Sequence, residues 1–312
     1  MAFFRFGAAG RPALSDNMAG AFLMMGSMAG FGFNDALIKL ASAEMGLFQV
    51  ILLRGIGASL LIALLAWRLG AYRRMPAKRD WGVLALRTAG EVGATLCFLT
   101  ALFNMPIANA TAILQALPLA VTLAGALLLR EPVGWRRYLA IAAGFTGVMI
   151  IVRPGAEGFN SYSLYALAAV GFVTLRDLST RALSHEVPSM LAASLTAVTI
   201  TIVGGLGAAV TGDWAPVTAG GTAALAGAVL FIFAGYLFSI MTMRRGEVGF
   251  IAPFRYTNLI WAILLGLFIF GEVPDVWMLT GGAIVVGTGL YAFHRERIRA
   301  RTLALASSRR GG

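Results

Sequence analysis

Apolar residues run along this chain in ten blocks of roughly membrane-spanning length, each parted from the next by a short polar or basic connection. The pattern predicts helices at 18–40, 47–68, 82–103, 107–129, 137–153, 161–183, 187–211, 220–242, 249–270 and 275–294. A spanning helix needs roughly 20 consecutive, mostly apolar residues, and these blocks lie too close together to leave room for a soluble catalytic or binding domain. The fold class expected is all-α integral membrane. The first block follows Arg5, Arg11 and Asp16, as a secretory signal would, but it runs on into Asn34, Asp35 and Lys39 without a clear small-residue cleavage site. It therefore reads as a retained first span.

Composition agrees. Of the 312 residues, 59% are hydrophobic and 12% charged, against roughly 25% charged in an ordinary soluble domain. The net charge of +11 sits between spans and in the tail, where membrane lipid headgroups rather than nucleic acid are the expected partner. Lys and Arg gather on alternate connections: Arg68, Arg73, Arg74, Lys78 and Arg79, then Arg130, Arg136 and Arg137, then Arg181, then Arg244 and Arg245, then the tail. Connections 104–106, 212–219 and 271–274 hold none. Positively charged loops stay in the cytoplasm, so both termini are expected there, with residues 1–17 a cytoplasmic segment and 295–312 a basic cytoplasmic tail, disordered from Ser307. Cys97 stands alone, and His185 and His294 are too few and dispersed for a metal site. No metal or other cofactor is expected.

The chain repeats itself. Asp35 and Lys39 near the end of the first span match Asp177 and Arg181 near the end of the sixth at an offset of 142 residues, which also separates Trp135 from Trp277 and Gly147 from Gly289. Leu129-Arg130-Glu131 is echoed by Phe270-Gly271-Glu272 at an offset of 141, one residue being inserted before Trp277. These landmarks predict a duplicated five-helix unit, 18–153 and 161–294. Because five is odd, the second copy enters the membrane from the opposite side, giving the inverted repeat on which alternating access is commonly built.

The motifs carry a resemblance. Ala108-Asn109-Ala110-Thr111-Ala112 leading to Leu117-Pro118, the Glu131-Pro132 and Trp135 turn, Gly144-Phe145-Thr146-Gly147 and the corresponding Glu272–Gly289 stretch resemble the drug/metabolite transporter superfamily, in its ten-helix EamA-type branch. Asn34-Asp35, Phe159-Asn160 and Ala252-Pro253-Phe254-Arg255-Tyr256 are similar to bacterial members that include uptake carriers for riboflavin and S-adenosylmethionine. Asn34-Asp35, Arg54-Gly55 and the Ala110–Pro118 run lean toward the riboflavin branch. What the resemblance implies is a secondary transporter of a small organic molecule in the inner membrane, an importer or an exporter.

Ionisable residues inside spans cost on the order of 2.5 to 3.5 kcal/mol each on insertion scales and are functional candidates for that reason. Those expected to couple or gate are Asp35, Arg54, Arg87, Glu91, Arg176 and Asp177. Asp35 with Lys39, Arg87 with Glu91, and Asp177 with Arg181 are each four residues apart, so every pair could also neutralise itself on one helix face as a plain brace. Glu91, deep in the third span, is the leading candidate for carrying a proton. The expected substrate-binding residues are Asn34, Gln115, Arg255, Tyr256, Asn258 and Trp261. Pro118 and Pro253 should kink the fourth and ninth spans and free carbonyls toward a cavity, where amide and aromatic side chains could bind a planar heteroaromatic solute. Phe31, Phe33, Phe98 and Tyr236 could line the pore, although packing explains span aromatics equally well. Gly26 and Gly30 predict close helix approach.

Other classes fit less well. No Gly-x-x-x-x-Gly-Lys-Ser/Thr loop for ATP occurs. An intramembrane enzyme would need a clustered acid/base or metal-carboxylate site, whereas the span carboxylates are scattered and lie beside bases. A homodimer remains open as the working unit.

Overall fold

The computed structural model describes residues 14–308 apart from positions 74, 132, 157–158, 185, 213 and 243–247. Arg74, Pro132, His185, Arg244, Arg245, nearly all of the 1–17 segment and tail residues 309–312 lie outside the described residues. The helices are α1 (Leu14–Ala41), α2 (Leu47–Arg68), α3 (Lys78–Asn104), α4 (Ile107–Leu114), α5 (Leu117–Leu128), α6 (Trp135–Val152), α7 (Tyr162–Ala182), α8 (Ser189–Thr211), α9 (Ala219–Thr242), α10 (Val248–Ile251), α11 (Thr257–Phe270) and α12 (Val276–Ser308). Among the described residues, nine helical segments are long and apolar enough to cross a membrane. The tenth, α7, has the length, but Arg176, Asp177 and Arg181 dilute its last two turns.

The two expected kinks are present, each with a local cause. The fourth span breaks between α4 and α5 at Gln115 and Ala116, because Pro118 at the start of α5 cannot donate the hydrogen bond that would carry the helix through. The ninth span tightens into a 3-10 turn over Ala252–Tyr256 around Pro253 before α11 begins. At the C-terminus α12 continues through Ser308, so residues 295–308 extend the tenth span as helix; the disorder expected from Ser307 is not found at Ser307 and Ser308, and residues 309–312 lie outside the described ones.

Packing follows the repeat. α1 packs on α9 and α3 on α7, α2 crosses α8, α4 meets α11, and α6 pairs with α12. Numbered within each five-span unit, span 1 meets span 3 of the other unit and span 3 meets span 1, while spans 2, 4 and 5 meet their own counterparts. Exchanging the two units leaves this list unchanged, as a twofold relation between them requires. The α1–α9 contact is backbone-close: a side chain at Gly30 would meet the Phe231 carbonyl at 2.9 Å and the Gly235 Cα at 3.0 Å. Two apolar clusters fill the interior, one around Ile38, Val50, Leu102 and Ile107, the other around Ile113, Val148, Val152 and Met278.

Candidate functional site

The helix pairs leave a polar seam between the two repeats. Tyr236 of α9 is 40% exposed, yet it stands within electrostatic reach of Glu91 and Arg87 of α3, Arg176 of α7 and Arg54 of α2. A side chain surrounded by charges from three other helices and still open to solvent borders a water-accessible cleft between the repeats. Arg255 likewise lies within reach of Asp177 and Arg176 and is exposed there. Asp35 faces Arg54 across the other half of the seam.

Within the cleft the partners differ from those that helical spacing predicts. Glu91 does not pair with Arg87. Both of its oxygens instead accept from Arg176 Nη1, at 3.2 and 3.1 Å, and Arg176 also donates to Asp177 through Nε at 2.9 Å. Arg87 turns away and donates to Thr180 Oγ1 at 3.1 Å and Thr196 Oγ1 at 2.6 Å, tying α3 to α7 and α8. Asp35 takes a 2.9 Å hydrogen bond from Asn34 Nδ2 rather than an ion pair with Lys39. The Asn34–Asp35 and Arg176–Asp177 contacts are repeat equivalents with the neutral donor exchanged for a cation.

Lys39 and Arg181 reach across the bundle. Lys39 Nζ pairs with Glu272 Oε1 at 2.7 Å, donates to the Met105 carbonyl and lies over the Phe270 ring, while Glu272 Oε2 accepts from the Ile107 backbone N–H. Arg181, the counterpart of Lys39, reaches Glu131, the counterpart of Glu272, at 3.4 Å. The first pair is 12% and 20% exposed and the second 51% and 47%. Alternation of the spans puts these pairs on opposite faces of the bundle. The Lys39 face is further sewn by Arg153 to Asp275, Asn160 to the Asn104 carbonyl, and Thr218 to Glu44.

The expected binding residues divide. Trp261 lies 5.8 Å from Phe33, which stacks on Phe231 at 4.9 Å, and Phe31 meets Tyr236 edge-on at 5.5 Å, forming an aromatic wall. Asn258 packs beside Trp261 against Gly32 of α1. Tyr256 points elsewhere: its ring sits over Gly289 and edge-on to Phe293 in α12, because only a glycine there leaves room for it. Its ring fills the space over Gly289 in this arrangement, and its buried hydroxyl has no hydrogen-bond partner among the described residues. Gln115 Nε2 reaches the Tyr256 carbonyl at 3.4 Å and props the kinked ninth span. Sequence reasoning used Glu131 and Glu272 only as repeat landmarks. Their recurrence at 141 residues, one short of the 142 that relates Lys39 to Arg181, was the signal that they are cross-repeat partners.

Comparison with known proteins meets this geometry. The EamA-like transporter family matches residues 18–153, the first five-span unit. This region is an EamA-like transporter domain. The EamA-like chain is 28% identical to the pseudopaline exporter of Pseudomonas aeruginosa over 85% of its own length and 93% of that protein. It is 29% identical to the riboflavin transporter of Vibrio cholerae, covering 86% of this chain and 91% of that one. To the S-adenosylmethionine uptake transporter of Rickettsia prowazekii it is 24% identical, over 87% and 91% of the two chains. A crystal structure of a protein 17% identical shares the fold at a TM-score of 0.62, covering 93% of this chain and 99% of its own. The EamA-like chain is a small-molecule transporter of the drug/metabolite superfamily and a multi-pass protein of the inner membrane.

Proposed function

We propose that the chain is a secondary transporter that moves a small heteroaromatic metabolite by alternating access, with both termini in the cytoplasm. The observation that carries the mechanism is the unequal state of two equivalent ion pairs. Lys39–Glu272 is short and enclosed, and Arg181–Glu131 is longer and solvated. An inverted repeat makes two faces from one design, so the two conformations it can adopt exchange the environments of equivalent residues. With the Lys39 face outside, the arrangement described above is closed outward and loosened inward. The aromatic wall and the charged cleft lie between the two pairs, where a bound solute would be reached from either side in turn. Riboflavin, toward which the sequence motifs lean, is the first cargo to test, beside S-adenosylmethionine and an aromatic amino acid.

The test has two arms. Proteoliposomes are loaded against each labelled solute, with a pH gradient on or off, and saturable uptake of one of them is expected. In a Cys97→Ala background, cysteine pairs at 39/272 and at 131/181 are cross-linked separately. Each cross-link should trap the transporter and protect the opposite pair from closing. Simultaneous closure of both pairs in most molecules, with flux intact, would sink alternating access by this route.

A further inference from the structure

The cleft contains groups of both signs that the protein leaves incomplete. Among the described residues, seven charged side chains lie along it with Tyr236, namely Arg54, Arg87, Arg176 and Arg255 against Asp35, Glu91 and Asp177. The arginines outnumber the carboxylates by one. Arg176 takes up both Glu91 and Asp177, and Arg87 is satisfied by two threonine hydroxyls. Arg255 makes no ion pair and no side-chain hydrogen bond with any described residue. Its nearest electrostatic company, Asp177, is already engaged by Arg176. An unpaired guanidinium facing the cleft is shaped to receive an oxyanion through paired N–H groups.

One helical turn beyond Arg255, Asn258 presents a buried amide oxygen with no hydrogen-bond partner, and so does Asn34 on α1, two residues from the Gly32 surface on which Asn258 packs. Buried acceptors left unmatched cost on the order of 1 to 3 kcal/mol apiece, and both belong to the wall that Trp261 and Phe33 complete. The unmet demands along the wall are therefore one anion at Arg255 and hydrogen-bond donors at the two carboxamides, next to an aromatic surface; the Tyr256 hydroxyl, also buried without a partner, lies apart from them over Gly289.

We propose that the transported solute is a planar aromatic molecule that also carries an oxyanion, with the anion held by Arg255 and its N–H or O–H donors held by Asn258 and Asn34. This rests on the cleft being the transport site, and it narrows the cargo to anionic aromatic molecules. Arg255 is the specificity-determining residue for the charge, and Asn258 serves charged and uncharged relatives alike.

The test is direct binding to the purified full chain in nanodiscs, read by isothermal titration with two matched pairs. Riboflavin and its 5′-phosphate differ by a phosphate, and S-adenosylmethionine and its methyl ester differ by a free carboxylate. The anionic member of at least one pair should bind about tenfold tighter or more, the value of one charge-assisted contact, and which pair responds tells phosphate from carboxylate. Arg255→Gln should erase that difference and Arg255→Lys should keep part of it, whereas Asn258→Leu should weaken both members together. Equal affinity within both pairs, no binding by any of the four, or a difference that survives Arg255→Gln overturns the proposal. The cross-linking test of alternating access uses no ligand, so it stands or falls separately.

Discussion

The hydroxyls of Ser59 and Thr201 meet at 2.9 Å, and the two residues are 142 positions apart, the offset that relates the repeats. Each is therefore touching its own counterpart. A residue can do so only on the axis that exchanges the two units, which fixes the crossing of α2 and α8 as a pivot of the molecule. Gly55 lies one turn away, where an added Cβ would come 2.6 Å from Thr201 Oγ1 and 3.2 Å from Thr201 Cα.

Packing at this crossing is the first expectation to check. Gly55→Ala should destabilise the folded protein by about 1 to 3 kcal/mol through overpacking. Gly82→Ala, with nothing within 4 Å of the new Cβ, should be neutral or slightly stabilising through helix propensity. Thermal denaturation of both variants in detergent decides it. Equal midpoints would mean that the α2–α8 crossing has slack.

Charge exchange tests the enclosed latch. Lys39→Glu should cost roughly 3 kcal/mol, the scale for breaking a largely buried pair by removing one partner, and should raise the reactivity of a cysteine placed on that face. The double exchange Lys39→Glu with Glu272→Lys should recover part of the loss. Recovery will be incomplete because Glu272 also holds the Ile107 N–H. A double variant no better than the worse single variant would show that the attraction between the two is not what matters.

Arg181→Ala should behave differently although Arg181 is the counterpart of Lys39. About half of each side chain in the Arg181–Glu131 pair is exposed, and solvated pairs of this kind contribute about 1 kcal/mol or less. Stability should barely change. The population of inward-open molecules should rise, read as faster labelling of a cysteine at position 131.

Glu91 joins α3 to α7 through Arg176. Glu91→Gln leaves Arg176 with Asp177 alone and should reduce solute flux by tenfold or more while the protein still inserts and folds. Asp177→Asn should do the same. Undiminished flux in both variants would remove these carboxylates from the transport cycle.

Much of this molecule is written locally in its chain. Block length and hydropathy determined the number and placement of the spans, because a helix in lipid must satisfy its own backbone wherever it goes. Pro118 and Pro253 determined the two breaks, since a missing N–H acts on its own turn. The 142-residue offset determined that two units of opposite sense exist. Helical spacing misassigned the partners of Lys39, Glu91, Arg87 and Asp177, and only the tertiary structure decided them. Side chains four residues apart share a helix face, but interleaving the units brings Glu272 to 2.7 Å from Lys39 and Arg176 to 3.1 Å from Glu91. In a medium that screens charge so weakly, the shorter distance prevails over the sequence neighbour. Tyr256 shows the same dependence: its position after Pro253 was legible, but its direction was set by the space above Gly289, a residue of another helix that no local pattern could connect to it.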